Sequence, residues 1–258
     1  MALSLSFHLD GTQDFPLHIG GEWYGGSGGR MDVLRPASAE KLATVVDAGA
    51  EDVEAACAAA AAAFPAWAAT DTDVRAACLR RLADLMRARM GELAGLESAI
   101  TGRPVREMRA QMARIPEWLE YFAGIILGLE GEANRVKGGF LTYTHYRPFG
   151  VCALLTPWNH PVLILVKKLA AALAAGNTVV VKPSELAPVT PLFIAEWAGE
   201  AGFPPGAVNV VTGGAAAGAA LVADPQVARI DLTGGTATGR RGAPGPAERL
   251  PARARGAG

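Results

Sequence analysis

Between residues 150 and 232, four short runs of consecutive apolar residues alternate with segments of helical character. The apolar runs are 151–155, 178–181, 208–211 and 228–232, and the helical segments are 161–175, 190–201 and 214–223. Continuous apolar strands alternating with helices are typical of a parallel sheet with helices on both faces, so the sequence predicts an α/β fold. Ligands of such sheets bind beyond the carboxyl ends of the strands, which directs attention to the loops that follow them.

The residues before this region predict smaller elements. Residues 1–50 contain turn signals and short apolar pieces, which we interpret as strands on the surface of a larger body. An alanine-rich stretch that opens with acids predicts a helix over 51–68. Apolar residues at three- and four-residue spacing predict a second helix over 71–101, and Pro104 suits the first turn of a third helix over 104–128.

Residues 134–149 have a different pattern, alternating in polarity and rich in β-forming residues. They predict two strands around a turn at Gly138-Gly139. Because a two-stranded arm alone is marginal in water, we expect it to pair with another part of the protein or with another subunit.

The first strand is followed by the loop 156–161, which reads TPWNHP. Two interpretations of Asn159 remain open. Asparagine is a good N-cap residue, so it is expected in a turn before a helix. A carboxamide at the end of a buried strand is also a suitable donor to an oxygen that gains negative charge during a reaction.

The second strand is followed by Lys182, Ser184 and Glu185. A lysine at this position suits ribose or phosphate oxygens. A glutamate suits a ribose diol and would repel a 2′-phosphate, which favours NAD over NADP. The alternative is a solvated turn before the next helix.

Glycines follow the third and fourth strands. Gly213 opens a segment of alanine and glycine, and two interpretations of it remain open. Its lack of a side chain either lets a ligand approach the backbone or lets the helix pack closely on the sheet. Gly234, Gly235 and Thr236 form a glycine turn that enters a helix, an arrangement that presents N–H groups to an anion. The spacing there is Gly-x-Thr-x-x-Gly, which alone is a weak match to dinucleotide-binding motifs.

The composition excludes several classes of function. The net charge is −1, which favours neither nucleic acid nor an anionic membrane as a partner. We see no signal peptide and no apolar run as long as a transmembrane helix, so a cytoplasmic location is expected. Cys57, Cys78 and Cys152 lack metal-type spacing and are interpreted as buried free thiols. No acid cluster indicates a metal site.

Taken together, three segments resemble the aldehyde dehydrogenase superfamily in order and in spacing. They are GVCALLTPWNHPVLILVKKLAAALAAGNTVVVKPSELAP, EAGFPPGAVNVVTG and LTGGTATGRR. The earlier IGGEWYGG and VLRPASAE resemble the N-terminal region of that family, so the resemblance covers about residues 17–240.

The resemblance implies a reaction and a cofactor. In this family a cysteine thiolate attacks an aldehyde, hydride passes to NAD(P)+, and a glutamate-activated water releases a carboxylic acid. Asn159 matches the oxyanion donor, which makes it the one catalytic candidate. The expected cofactor, NAD more than NADP, would be bound by Thr156, Pro157, Trp158, Lys182, Ser184, Glu185, Gly213, Gly234, Gly235 and Thr236.

The resemblance also implies a domain organisation. Residues 1–133 would be the N-terminal part of the cofactor-binding domain, 134–149 a protruding oligomerisation arm, and 150–240 a Rossmann-like dinucleotide-binding core. Full-length relatives are homo-oligomers that act on small aldehydes.

The resemblance stops at about residue 240. Of the 18 residues in 241–258, 16 are Gly, Ala, Pro or Arg, which suggests a frameshift or truncation and an aberrant, disordered tail. The family's catalytic cysteine and glutamate would follow this point. We therefore expect an inactive cofactor-binding part of an oxidoreductase. The alternatives are a non-catalytic dinucleotide-binding or assembly module and a pseudogene product.

Overall fold

The computed structural model describes residues 9–236 and residue 239. Its strands are β1 (Asp14–Phe15), β2 (Leu17–Ile19), β3 (Glu22–Tyr24), β4 (Gly29–Leu34), β5 (Lys41–Asp47), β6 (Ala133–Val136), β7 (Phe140–Tyr143), β8 (Val151–Leu155), β9 (Thr178–Lys182), β10 (Val208–Val210) and β11 (Val227–Leu232). Its helices are α1 (Ala50–Ala68), α2 (Thr72–Thr101), α3 (Val105–Met112), α4 (Pro116–Ile125), α5 (Pro161–Ala174), α6 (Thr190–Glu200) and α7 (Ala215–Ala223). The expected tail over 241–258 lies outside the described residues.

The main sheet has six strands in the order β11-β8-β9-β10-β2-β3. The pairs β11–β8, β8–β9 and β9–β10 are parallel, and these are the four strands that the apolar runs predict. Leu155 at the end of β8 lies opposite both Lys182 and Leu232. The carboxyl ends of β8, β9 and β11 therefore meet at one rim of the sheet.

Helices cover both faces of this sheet, as the continuous apolar strands predict. Helices α1 and α7 pack on one face, while α5 and α6 pack on the other with α2 beyond them. Along β8, Cys152 and Leu154 belong to one hydrophobic core, and Val151, Ala153 and Leu155 belong to a second core on the opposite face. The α/β fold with a parallel sheet between two helical layers is confirmed.

The interpretation of residues 1–50 as surface strands is wrong for β2. Leu17, His18 and Ile19 are all buried, and β2 extends the main sheet by pairing antiparallel with β10. Periodicity detects the local hairpin of β2 with β3 but not a pairing with a strand about 190 positions later. Strands β1, β5 and β4 form a separate three-stranded sheet.

The single helix predicted over 104–128 is also wrong, because the structure divides it. Helix α3 ends at Met112, α4 begins at Pro116, and a 3-10 turn follows over Ile126–Gly128. Proline lacks the N–H that would continue a helix from the preceding turn, so Pro116 starts a new helix at its first position. The break turns α4 so that α3, α4 and α5 enclose a groove.

The predicted hairpin is present. Strands β6 and β7 pair antiparallel with Val136 opposite Phe140, and Gly138 and Gly139 adopt the positive φ angles of 95° and 83° that the turn requires. Every residue of both strands is exposed. The oligomerisation role of residues 134–149 stays a prediction. Within the described part of the chain, no helix has both the length and the apolar character needed to cross a membrane.

Candidate functional site

Hydrogen bonds continue past the ends of the parallel strands and hold the following loops side by side. The Thr156 N–H donates to the Lys182 carbonyl at 3.2 Å, and the Thr233 N–H donates to the Leu155 carbonyl at 3.1 Å. The Val211 N–H donates to the Val181 carbonyl at 2.9 Å. The loops at 156–161, 182–186, 212–214 and 233–236 therefore start from the same rim, as the sequence predicts.

Asn159 is exposed on the turn between β8 and α5. The N-cap of α5 is His160, and Pro161 occupies the first turn of that helix, so the interpretation of Asn159 as the cap is wrong. Within residues 9–236, the Asn159 carboxamide makes no hydrogen bond. Its N–H donors are therefore available to a ligand at the rim.

Thr156 carries a second unused polar group. Its side chain is buried, and Oγ1 has no hydrogen-bond partner in the described part of the chain. A buried hydroxyl without a partner costs about 1–3 kcal/mol, which a bound polar ligand would recover. Pro157 beside it is half-buried and Trp158 is 50 % exposed, so the indole ring lies open to solvent at the rim.

Lys182 ends β9 with its side chain buried. Burial lowers the pKa of its ammonium, and the carboxylates of Glu185 and Asp47 oppose that shift. Its Nζ lies 3.5 Å from Oε2 of Glu185, which is half-exposed. Ser184 uses its hydroxyl locally by accepting from the Leu186 N–H at 3.3 Å. Lys182 is thus a desolvated cation with one long ion pair and spare donors.

Space beside Lys182 is kept by a glycine in α7. A Cβ at Gly218 would lie 3.7 Å from Cδ of Lys182 and 3.8 Å from Cδ2 of Leu155. Any larger side chain at this position would narrow the gap between α7 and the rim. The sequence analysis missed Gly218 because nothing in this alanine-rich helix indicates that its one glycine faces the ends of the strands.

Gly213 is buried, and its geometry matches the packing interpretation. A Cβ there would lie 2.9 Å from Cβ of Ala217 and 3.1 Å from the backbone nitrogen of Ala48. The next N–H, of Gly214, donates to Oδ1 of Asp47 at 3.0 Å. Asp47, at the end of β5, is a rim residue that the sequence analysis missed. A role for Gly213 in cofactor binding stays a prediction.

Gly234, Gly235 and Thr236 are exposed after β11. A Cβ at Gly235 would meet nothing within 4 Å, and the Gly239 N–H donates to the Gly235 carbonyl at 3.1 Å. The turn therefore leads into helical geometry, as predicted. Residues 237 and 238 of this loop lie outside the described residues.

Lys168 on α5 ties the rim together, and the sequence analysis missed it. Its buried ammonium donates to the Leu155 carbonyl at 3.4 Å, to the Asp231 carbonyl at 3.0 Å and to the Asp231 carboxylate. It thereby joins the carboxyl ends of β8 and β11, the two strands that lead to Asn159 and to the glycine turn. The sequence signal was a lysine on the apolar face of α5, between Leu165 and Leu169.

Methionine in place of Lys168 is expected to lower the free energy of unfolding by about 2 kcal/mol, because two carbonyls and a carboxylate lose their shared donor. The Asp231 side chain is 42 % exposed, so water can solvate it and the loss stays below that of a fully buried pair. Urea unfolding followed by circular dichroism measures the change. The matched control is Lys167→Met on the same helix, and equal losses in both variants would contradict the role of Lys168.

All three cysteines of the chain are buried and free. Burial raises the pKa of Cys57 to about 12 and that of Cys152 to about 11, and it also raises the pKa of Cys78. A thiol nucleophile needs a lowered pKa and some exposure. The interpretation of Cys152 as a packed core thiol is therefore confirmed.

A groove of about 830 Å³ lies beside the Asn159 turn, on the outer side of α5. It is lined by Ala110, Gln111, Arg114, Glu117, Trp118, Tyr121, Leu163 and Lys167. At one end His160 Nδ1 lies 2.7 Å from Nε2 and 3.0 Å from Oε1 of Gln111, and His160 Nε2 lies 2.6 Å from Nη1 of Arg103. These contacts place the groove next to the residue that follows Asn159.

Comparisons with known proteins bear on the family and the fold of the chain. The model of the aldehyde dehydrogenase family matches residues 23–251. Hydroxyisobutyraldehyde dehydrogenase of Mycolicibacterium austroafricanum is 43 % identical over 244 residues, which are 93 % of this chain and 48 % of that protein. The chain spans about half the length of the curated relatives it matches.

Solved structures give the same result. PnpE in complex with nicotinamide adenine dinucleotide is 41 % identical with a TM-score of 0.89, and the match covers 92 % of this chain and 49 % of that chain. A 3,6-anhydro-L-galactose dehydrogenase in complex with NAP is 30 % identical with a TM-score of 0.88, covering 92 % and 50 %. Structures of this fold have thus been solved with nicotinamide adenine dinucleotide and with NAP.

Proposed function

The chain belongs to the aldehyde dehydrogenase family, and from that premise we propose that it is the NAD-binding part of an oxidoreductase that converts an aldehyde to a carboxylic acid. One observation carries the proposal. Four loops leave a single rim of the parallel sheet, and that rim presents a buried lysine, an unpartnered buried hydroxyl and an exposed carboxamide.

The chemistry of these groups fits a dinucleotide. The Lys182 ammonium has donors left for ribose hydroxyls or phosphate oxygens, since its single carboxylate partner lies at 3.5 Å. Thr156 offers a buried hydroxyl with no partner among the described residues. The exposed backbone of Gly234 and Gly235 suits a pyrophosphate. Trp158 and the gap kept by Gly218 leave open surface for the rest of the molecule.

Asn159 is the residue that we assign to the reaction itself. When bound, NAD supplies the acceptor for the hydride. The Asn159 carboxamide would donate to the aldehyde oxygen, and this hydrogen bond strengthens as the oxygen gains negative charge in the transition state. The turn that carries Asn159 lies between β8 and α5, and the Lys168 contacts hold those two elements together. The donor would therefore be positioned before the substrate arrives.

We propose that none of this chain's three cysteines is the nucleophile of the reaction, a proposal supported by their burial and raised pKa values. We therefore expect the purified chain to bind NAD and to oxidise no aldehyde. Isothermal titration with NAD and an NADH absorbance assay with a panel of aldehydes measure the two properties. A chain that fails to bind NAD sinks the proposed function, and turnover of any aldehyde refutes the assignment of the thiols.

Cofactor preference is proposed to depend on Glu185. Its half-exposed carboxylate would accept from an adenosine ribose diol and repel a 2′-phosphate. Glutamine at this position is expected to raise the affinity for NADP relative to NAD about fivefold, the size of effect that a partly screened charge has. Titration of both nucleotides at low ionic strength checks the ratio. Glu92→Gln, an exposed change on α2, is the control, and an unchanged ratio in Glu185→Gln argues against the assignment.

A second candidate function is assembly with a longer relative. It is favoured by the hairpin, where Phe140, Leu141 and Tyr143 are 71 %, 64 % and 73 % exposed. Such a surface suits pairing with another chain, which would form the homo-oligomer expected of this family. Association with a full-length relative without NAD binding would favour this alternative.

We place the protein in the cytoplasm because its three thiols are unpaired in the structure.

A further inference from the structure

The groove beside Asn159 combines aromatic walls with positive charge. Trp118, Tyr121 and Leu163 supply apolar surface, and a volume of about 830 Å³ is in the range of small-molecule sites. Composition alone does not reveal the groove, because it forms where Pro116 separates α3 from α4. The surface lies on the face of α5 away from the sheet.

The charges in the groove do not cancel. Arg114 is paired with Glu117 at 3.7 Å, and both side chains are largely exposed. Lys167 has no carboxylate within 4.0 Å in the described part of the chain, and its Nζ lies 4.6 Å from the centroid of the Trp118 ring. The groove therefore holds one cation without an acidic partner, positioned by an aromatic face.

Two cations, Arg103 and Lys167, also act on His160, the residue that follows Asn159. Burial lowers the pKa of His160, and the cations Arg103 and Lys167 lower it further. Glu107 neutralises part of Arg103 through an ion pair at 3.1 Å. The pKa of His160 thus lies below its ordinary value between two cations. An anion in the groove would be attracted toward Lys167.

The positions of Asn159 and Lys167 define the length of a ligand that reaches both. Eight residues of helix rise about 12 Å, and side chains on a helix lean toward its N-terminus. A ligand that reaches both groups is therefore expected to be shorter than about 12 Å. A short spacer with apolar or aromatic faces fits between the two groups.

The geometry points to an aldehyde that carries a carboxylate at its far end as the substrate class, with Lys167 as the residue that selects it. This inference rests on the proposed function, because it takes Asn159 as the group that binds the carbonyl oxygen. The carboxylate pairs with Lys167, the spacer lies against Trp118 and Leu163, and the carbonyl reaches Asn159. A neutral aldehyde of the same shape would lose only the contact with Lys167.

The test uses two ketones that do not depend on turnover and form no stable adduct with lysine amines. 4-Acetylbenzoate carries the carboxylate, and 4-acetylbenzamide is its neutral isostere. Each is titrated by calorimetry into the full 258-residue chain and into Lys167→Met, Lys167→Arg and Lys137→Met. Lys137 is an exposed lysine on the hairpin and gives the same chemical change away from the groove.

We expect the unaltered chain to bind the benzoate about fivefold more tightly than the benzamide at low ionic strength. Lys167→Met should abolish the preference, while Lys167→Arg and Lys137→Met should keep it. Equal binding of the two ligands, no binding of either, or a preference that survives Lys167→Met would overturn the inference. NAD titration of the same samples separates the two proposals, since a chain that binds NAD without this preference refutes the substrate class alone.

Discussion

Methionine in place of Lys182 is expected to weaken NAD binding at least tenfold while leaving the folded chain as stable as before, or more stable. Charge-assisted hydrogen bonds contribute about 1.5–3 kcal/mol each, and about 1.4 kcal/mol is a tenfold change in affinity. The stability is expected to change in the opposite direction, because the buried Lys182 ammonium has a single carboxylate partner at 3.5 Å to offset its desolvation. Its partner Glu185 is half-exposed and loses little when the lysine is removed.

Isothermal titration with NAD and urea unfolding of the same samples measure the two effects. The control is Lys41→Met, which also removes an ion-paired lysine, here paired with Asp32 at 2.8 Å far from the rim. It should leave NAD binding unchanged. If Lys182→Met lowers stability and affinity together, Lys182 is a structural lysine and not a ligand of the nucleotide.

The contrast between Lys182 and Lys168 follows from their partners. Burial lowers the pKa of both lysines. Lys168 donates to two backbone carbonyls and a carboxylate, so its loss leaves three acceptors without their donor and is expected to destabilise the fold. Lys182 has one carboxylate at 3.5 Å, so its burial is poorly compensated in the chain alone. A buried cation with unused donors at a strand end is a feature of a binding site more than of a core.

The sequence predicted those parts of the fold that leave a local pattern. Strands β8 and β9 are apolar at successive positions, and their following loops place Asn159 and Lys182 at a common rim through the geometry of parallel pairing. Strand β2 forms a local hairpin with β3, but its pairing with β10 joins residues far apart in the chain, so no window of sequence places it in the main sheet. The division of α3 from α4 was visible in Pro116, whose effect on the helix was overlooked.

The parts of the site that were missed depend on contacts between distant elements. Asp47 reaches the rim from the end of β5 and accepts from Gly214, 167 residues later. Glu97 is a further case, since an acid within a long helix is expected on its solvent face. In the structure its side chain is only 1 % exposed, and one of its oxygens, Oε2, has no partner among the described residues.

Glu97 lies beneath the helix that begins at the Asn159 turn. Its carboxyl faces the backbone N–H of Val162 in the first turn of α5 and the hydroxyl of Thr190 at the start of α6, and both lower its pKa. These donors and the positive charge of Arg103 favour the carboxylate. Burial outweighs them and raises the pKa of Glu97 to about 7 from its ordinary 4.5.

The stability of the chain should therefore depend on pH through Glu97. The folded state holds the Glu97 proton up to about pH 7, whereas the unfolded state releases it near 4.5. The stabilising contribution is complete below the lower value, and it is lost as the pH rises through the upper one. His18 acts with the opposite sign, because burial lowers its pKa to about 4 and its contribution is lost as the pH falls from 6.5.

Glutamine in place of Glu97 removes the first effect and keeps the second, so the difference between variant and unaltered chain isolates Glu97. We expect that difference to move in favour of Glu97→Gln by about 3 kcal/mol between pH 4.5 and pH 8, since each unit of pKa shift is worth about 1.4 kcal/mol. Any fixed cost of the amide in the buried site shifts the whole curve without changing its slope. Urea unfolding at half-unit steps of pH gives the curve, and Glu54→Gln, an exposed change on α1, should give a flat one. A flat difference for Glu97→Gln would mean that the Glu97 carboxyl ionises in the folded state as it does in the unfolded chain. Helix α5, which follows the Asn159 turn, would then begin above a charged carboxylate at every pH between 4.5 and 8.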